Sequence, residues 1–196
     1  MSKILVAYAT KSGSTTEVAN AIAEELQATG AEVDVRTIEG AGDLTPYDAV
    51  VVGAPMIHGW HHEATKFLAK NQQALSRKRV ALFLTAKAVT QSSDGTIGGA
   101  AMFQDPKLVT PPKNPAKLGF REKMTTPQQY LGPVLKEAPA VKPVAAGFFG
   151  GNLEYGKLGW WDRFYVKRIV GAAEGDSRNW DAIRGWAREI APRLQA

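Results

Sequence analysis

Short apolar runs alternate with amphipathic stretches along most of this chain, and that alternation restricts the fold more than any other feature. Lys3–Ala9 is apolar, short and flanked by turn residues, which predicts a buried strand. In Thr16–Thr29, Val18, Ala21, Ile22 and Leu26 share one helical face, with Glu17, Glu24 and Glu25 opposite. Gly30 then supplies a helix stop. Glu32–Ile38 sets Val33 and Val35 among charged neighbours, as an outer strand does. Ala49–Gly53 and Val80–Leu84 read as buried strands, with a helix over Glu63–Leu75 between them. A helix over Pro127–Glu137 starts with proline in its first turn, and Val141–Phe149 is a last buried strand. Helices over Trp160–Val170 and Trp180–Leu194 close the chain, the second capped by Asn179. Strands separated by helices imply an α/β fold: a doubly wound, five-stranded parallel sheet in the order 2-1-3-4-5, with helices on both faces.

One stretch breaks the rhythm. Thr90–Thr126 is rich in Gly, Pro, Ser, Thr and Lys and has little periodicity, so it reads as a long loop insert that is either functional or mobile. From Asp105 to Thr125 it carries five cations (Lys107, Lys113, Lys117, Arg121 and Lys123) against Asp105 and Glu122. A length of 196 residues, 44% of them hydrophobic, suits a single domain over 1–196 with a substantial core. Cysteine is absent, which excludes disulfides, thiolate metal sites, iron–sulfur clusters and cysteine nucleophiles. Met1-Ser2-Lys3 runs straight into the first strand, so no leader is expected. The longest apolar runs, Ala49–Pro55 and Pro143–Phe149, fall far below the roughly 20 residues a spanning helix needs. The expectation is a cytoplasmic protein, or one held peripherally at the inner face of a membrane. A net charge of +5 favours anionic partners, but no nucleic-acid-binding motif accompanies it.

In a doubly wound sheet, ligands bind beyond the carboxyl ends of the strands where the strand order reverses. Three loops qualify, after Tyr8, Gly53 and Leu84. The first, Thr10-Lys11-Ser12-Gly13-Ser14-Thr15, leads directly into a helix. Backbone N–H groups at a helix start, the helix dipole and four hydroxyls together suit a phosphate, and Gly13 permits a left-handed turn. Lys11 sits too early for a P-loop, and a lone glycine is too few for a dinucleotide fingerprint. The bland alternative is an ordinary turn with a helix cap.

Val6 through Ile22, read as VAYATKSGSTTEVANAI, resembles the FMN-phosphate signature of the flavodoxin family. The resemblance implies that Thr10, Ser12, Gly13 and Thr15 hold the phosphate, with Lys11 and Ser14 in the same loop, while Ala19 and Ile22 pack the helix on the sheet. Ala7 replaces a bulkier family residue, which affects packing more than chemistry. The resemblance also implies that the second loop, Ala54, Pro55, Met56, Ile57, His58, Gly59 and Trp60, packs on one face of the flavin. Trp60 or His58 is then a candidate to stack on it, and Gly59 a place where a peptide approaches the flavin edge. Thr85, Ala86 and Lys87 complete the site from the third loop. All three histidines lie at 58–62, so metal binding by His58, His61, His62 and Glu63 is an alternative. Adjacent His61 and His62 face one ion poorly if they start a helix, and no metal is expected.

Gly53-Ala54, Gly59 and His62, with a helix after them, resemble the menaquinone-dependent protoporphyrinogen dehydrogenases, a flavodoxin-like branch. Trp160–Ile169 resembles that branch's Trp-Tyr-Asp-Arg-Phe segment, and Trp186–Ala191 its closing helix. The branch implies an FMN-dependent dehydrogenase with a small-molecule substrate, protoporphyrinogen IX, and a quinone acceptor. The alternative is an electron carrier between redox protein partners. Thr90–Thr126 is longer than expected for the branch, and the stretch between Val170 and Trp180 is shorter. Within Lys157–Ile169, Trp160, Trp161, Phe164 and Tyr165 lie among Lys157, Arg163, Lys167 and Arg168. Such a helix either faces the core or rests on anionic lipid, and Arg163 and Lys167 suit the carboxylates of a tetrapyrrole. With flavin doing the redox chemistry, no catalytic nucleophile is expected, and His58, His61 or His62 is a candidate proton relay.

Overall fold

The computed structural model describes residues 1–11, 13–56, 59–154, 156, 160 and 174–196. Its first half follows the predicted alternation closely: β1 (Lys3–Tyr8), α1 (Ser14–Ala28), β2 (Glu32–Thr37), β3 (Ala49–Pro55), α2 (His62–Leu75) and β4 (Arg79–Ala86). The segment after β4 contains β5 (Val89–Thr90), β6 (Thr96–Ile97), β7 (Ala100–Gln104), β8 (Val109–Thr110) and α3 (Phe120–Met124). Then come α4 (Pro127–Glu137), β9 (Pro143–Gly150), β10 (Asn152–Leu153), β11 (Gly175–Asp176) and α5 (Trp180–Gln195). The expected helix over Trp160–Val170 lies, Trp160 apart, outside the described residues.

The main sheet runs β2-β1-β3-β4-β9-β7-β6. Its first five strands are the expected doubly wound order, all parallel. The expected count of five is corrected to seven, because the segment read as structureless contributes two strands. β7 pairs parallel with β9, from Ala101 opposite Ala145 to Gln104 opposite Phe148. β6 turns back antiparallel on β7 through Gly98 and Gly99, both at positive φ. A two-residue Gly-Gly loop is a hairpin signal. The strands beside it are short and rich in alanine, a weak strand former.

Helices cover both faces. α1 and α5 bury Val18, Ile22, Leu26, Ile183, Trp186 and Ile190 on one side, with Trp186 set edge-on to Phe149 at 5.4 Å. On the other side Phe67, Leu68, Leu131 and Val134 of α2 and α4 pack on Val50, Val52, Leu82 and Leu84. Central strands buried on both faces read as continuous apolar runs, which is why β3 and β4 were legible. Thr126 caps α4 by accepting from the Gln129 N–H at 3.1 Å. Asn179 occupies the N-cap position of α5 but makes no capping bond. Its amide instead donates to Asp105 Oδ1 at 2.8 Å, tying the start of α5 to the end of β7.

Candidate functional site

The parallel register brings the carboxyl ends of β1, β3 and β4 side by side, and the three loops meet there. Ala9 N–H donates to the Gly53 carbonyl (2.9 Å), and Met56 N–H donates to the Thr85 carbonyl (2.9 Å). Each loop is therefore anchored to the next by a backbone bond.

The first loop is shaped from within. Gly13 stands at φ +86° as the N-cap of α1, and its N–H donates to Thr10 Oγ1 at 3.0 Å. No atom lies within 4 Å of where a Cβ on Gly13 would sit, so the backbone faces open space. The hydroxyl of Thr10 accepts from Gly13 and keeps its own hydrogen to donate. Thr15 is fully buried, its hydroxyl 3.5 Å from that of Thr85. Its side chain joins the first turn of α1 to the end of β4. Lys11 is exposed, Ser14 half-buried, and Ser12 lies outside the described residues.

The second loop is a tight reversal. Met56 bridges back to Trp60, and Gly59 turns at φ +117° with open space around it. Trp60 is buried, and its indole donates to the Ala54 carbonyl at 3.2 Å. The ring expected to stack on a flavin is therefore packed beneath the loop, beside Ala64 and Phe67, and supports the loop from behind. Ile57 and His58 lie outside the described residues. His61 and His62 stack at 5.2 Å, and His62 Nε2 lies 2.6 Å from Glu63 Oε1. Burial, reinforced by His62, holds His61 below the ordinary imidazole value. His61 is thus neutral at neutral pH, and its buried Nδ1 has no hydrogen-bond partner within the protein. Such an atom is a ready contact for a bound polar group.

The third loop is latched to the strap that precedes α5. Gly151 N–H donates to the Ala86 carbonyl at 3.0 Å, and Lys87 Nζ donates to the Gly175 carbonyl (2.6 Å) and to Ser177 Oγ (3.2 Å). Gly150 is required here, since a Cβ would stand 1.9 Å from the Ser177 carbonyl oxygen. Thr85 and Ala86 are buried, and the Thr85 hydroxyl meets that of Thr15 in the first loop. Lys87 is occupied by the strap, and burial lowers its pKa.

Sequence reading missed Arg178. Its side chain is 7% exposed and pairs with Asp176 (2.6 Å) and with Glu17 on the first turn of α1 (3.0 Å). Its guanidinium stacks over Trp180 at 4.6 Å. The strap, the third loop and the start of α1 are thereby joined. No motif flagged Arg178, because Glu17 reaches it only in the folded chain.

A left-handed glycine turn at a helix start with open space beside it, a threonine hydroxyl in the same turn and a buried imidazole nitrogen match a phosphate-bearing, hydrogen-bonding cofactor. Comparison with known proteins gives the same direction. A family described as the flavodoxin domain matches residues 5–179. Protoporphyrinogen IX dehydrogenase [quinone] of Escherichia coli strain K12 is 25% identical over 96% of this chain and 94% of its own. Among solved structures, a flavodoxin from the domain Archaea superposes with a TM-score of 0.52 at 14% identity, covering 99% of both chains. Rubredoxin oxygen:oxidoreductase from Desulfovibrio gigas superposes at 0.53 and 14% identity over 98% of this chain, which spans only 36% of that one. Both structural likenesses concern the fold.

Proposed function

The chain belongs to the flavodoxin-domain family, and on that premise we propose that it is an FMN-dependent oxidoreductase that takes electrons from a protoporphyrinogen-type substrate and passes them to a quinone. One observation carries the reading: Gly13 caps α1 in a left-handed turn with open space where a side chain would sit, while Thr15 fastens that turn to Thr85. When bound there, FMN supplies two-electron and one-electron chemistry.

The protein's own part is binding and orientation. The N-terminal amides of α1 and the Thr10 hydroxyl would hold the phosphate, favoured by the positive end of the α1 dipole. The second loop, reversed at Gly59 and supported by buried Trp60, and the third loop at Thr85 and Ala86, fixed by the strap through Lys87, would hold the flavin. His61, neutral at neutral pH, accepts a hydrogen bond or a proton at Nδ1. The substrate and acceptor come from the relative that is 25% identical over nearly its whole length.

The test is an anaerobic two-step assay on the FMN-loaded protein. Protoporphyrinogen IX is expected to bleach the flavin absorbance, and a menaquinone analogue to restore it. Bleaching only by a reduced protein donor, with no response to either small molecule, points to an electron carrier and contradicts the enzyme.

A further inference from the structure

We propose that the insert after β5 is a docking surface for an anionic lipid bilayer. This goes beyond the redox reading and does not depend on it. α3 exposes Phe120 (79%) and Met124 (45%), and a spacing of four residues puts them on one side of the helix. Arg121 and Lys123 on the same helix, and Lys107, Lys113 and Lys117 in the chain before it, are all exposed. The salt bridges of the described residues include none of the five.

The insert holds three acids: Asp94 is exposed just before β6, and the two from position 105 to 125 are withdrawn from this surface. Asp105 is fully buried and accepts from the Lys107 N–H and the Asn179 amide. The Glu122 carboxylate folds back to accept from the N–H groups of Lys113 (2.8 Å) and Gly119 (2.6 Å). What remains outward is an apolar pair and cations that form no salt bridge with another described residue.

The surface is tied back to the chain just after the third loop. The Thr90 hydroxyl donates to the Glu122 carbonyl at 2.9 Å and lies 2.8 Å from Thr125 Oγ1, while Thr90 N–H donates to the Thr125 carbonyl. β5 pairs with β8 beside it. The surface thus follows directly on the third loop. An acidic protein would be met by the cations alone and leave Phe120 and Met124 in water. A bilayer satisfies both, taking apolar side chains at the acyl boundary and cations at the level of its phosphates.

The experiment is co-sedimentation of the full-length FMN-loaded protein with vesicles of phosphatidylcholine alone or of equal parts phosphatidylcholine and phosphatidylglycerol. Binding to the anionic vesicles only, weakening as salt is raised, is the expected result. F120S/M124S is expected to lower the partition coefficient roughly tenfold, and K117E/R121E at least as far, since each cation near the surface counts for about fivefold. Unchanged thermal midpoints and flavin spectra in both variants show that the fold is intact. Absence of binding, or equal binding to neutral vesicles, overturns the proposal. Anionic binding untouched by F120S/M124S overturns it too, and assigns the cations to an acidic macromolecule.

Discussion

The loop after β1 and the segment after β4 leave the same edge of the sheet, yet they are ordered by different means. The first spans a few residues between a fully buried strand and a helix whose inner face is fully buried, so the core fixes both of its ends. The second runs over thirty-odd positions and reaches the core through β6, β7 and Leu108. The rest of it is held largely by single bonds: Thr90 to Glu122 and Thr125, Gln104 to Ser92 in both directions, and Asp105 to Asn179. Burial makes a loop stiff through its neighbours, whereas isolated polar bonds, each contributing about 1 kcal/mol, make a segment that opens locally.

The comparison breaks if scaffold and insert respond alike to the loss of one contact. Trp186→Ala removes a fully buried ring from the α5 face and is expected to cost about 4 kcal/mol in urea unfolding, affecting the whole molecule. Asp105→Ala strips Asn179 and Lys107 of their acceptor where the two regions meet. It is expected to cost about 2 kcal/mol, and hydrogen exchange should rise at the start of α5 as well as in the insert. Thr90→Val is expected to cost about 1 kcal/mol, visible as faster exchange within 90–126 and scarcely elsewhere. If Thr90→Val instead loosens α1 or α5, the insert is part of the scaffold and the contrast fails.

Two pH effects sharpen the contrast. Amides of Lys113 and Gly119 hold the Glu122 carboxyl below its ordinary 4.5. Their protection is therefore full above that value and is lost as pH falls through the lower folded one. His61 is held below 6.5 by burial. The unfolded chain binds its proton first, so its stabilising contribution is complete above about 6.5 and shrinks as pH falls below that value. Exchange measured from pH 7 downwards should show the second loop loosening before the insert does.

The same contrast explains what the sequence made legible. β1, β3, β4 and β9 are apolar runs buried on both faces, and α1 and α5 carry a clear helical stripe, so the order of the central strands followed from pattern alone. The hydroxyl-rich turn at Thr10–Thr15 was equally visible, because strand, turn and helix follow one another without interruption. β7 was not, since Ala100–Gln104 is half-buried and alanine-rich, and only Gly98-Gly99 marked its hairpin. The inward turn of Trp60 was also hidden: an aromatic ring beside a loop looks the same in sequence whether it faces a ligand or the core. Arg178 and Asp105 also act through one distant partner each, Glu17 and Asn179, more than seventy positions away, which no local spacing reveals.

The central claim is that the Gly13 turn holds the phosphate of FMN. The most direct test titrates FMN and riboflavin into the native protein and into Gly13→Asp, a residue that tolerates positive φ better than most. The account predicts that the substitution weakens FMN roughly a hundredfold and changes riboflavin by no more than about threefold, because the new carboxylate stands where the phosphate binds. Equal loss of both ligands, or no effect on either, would contradict it.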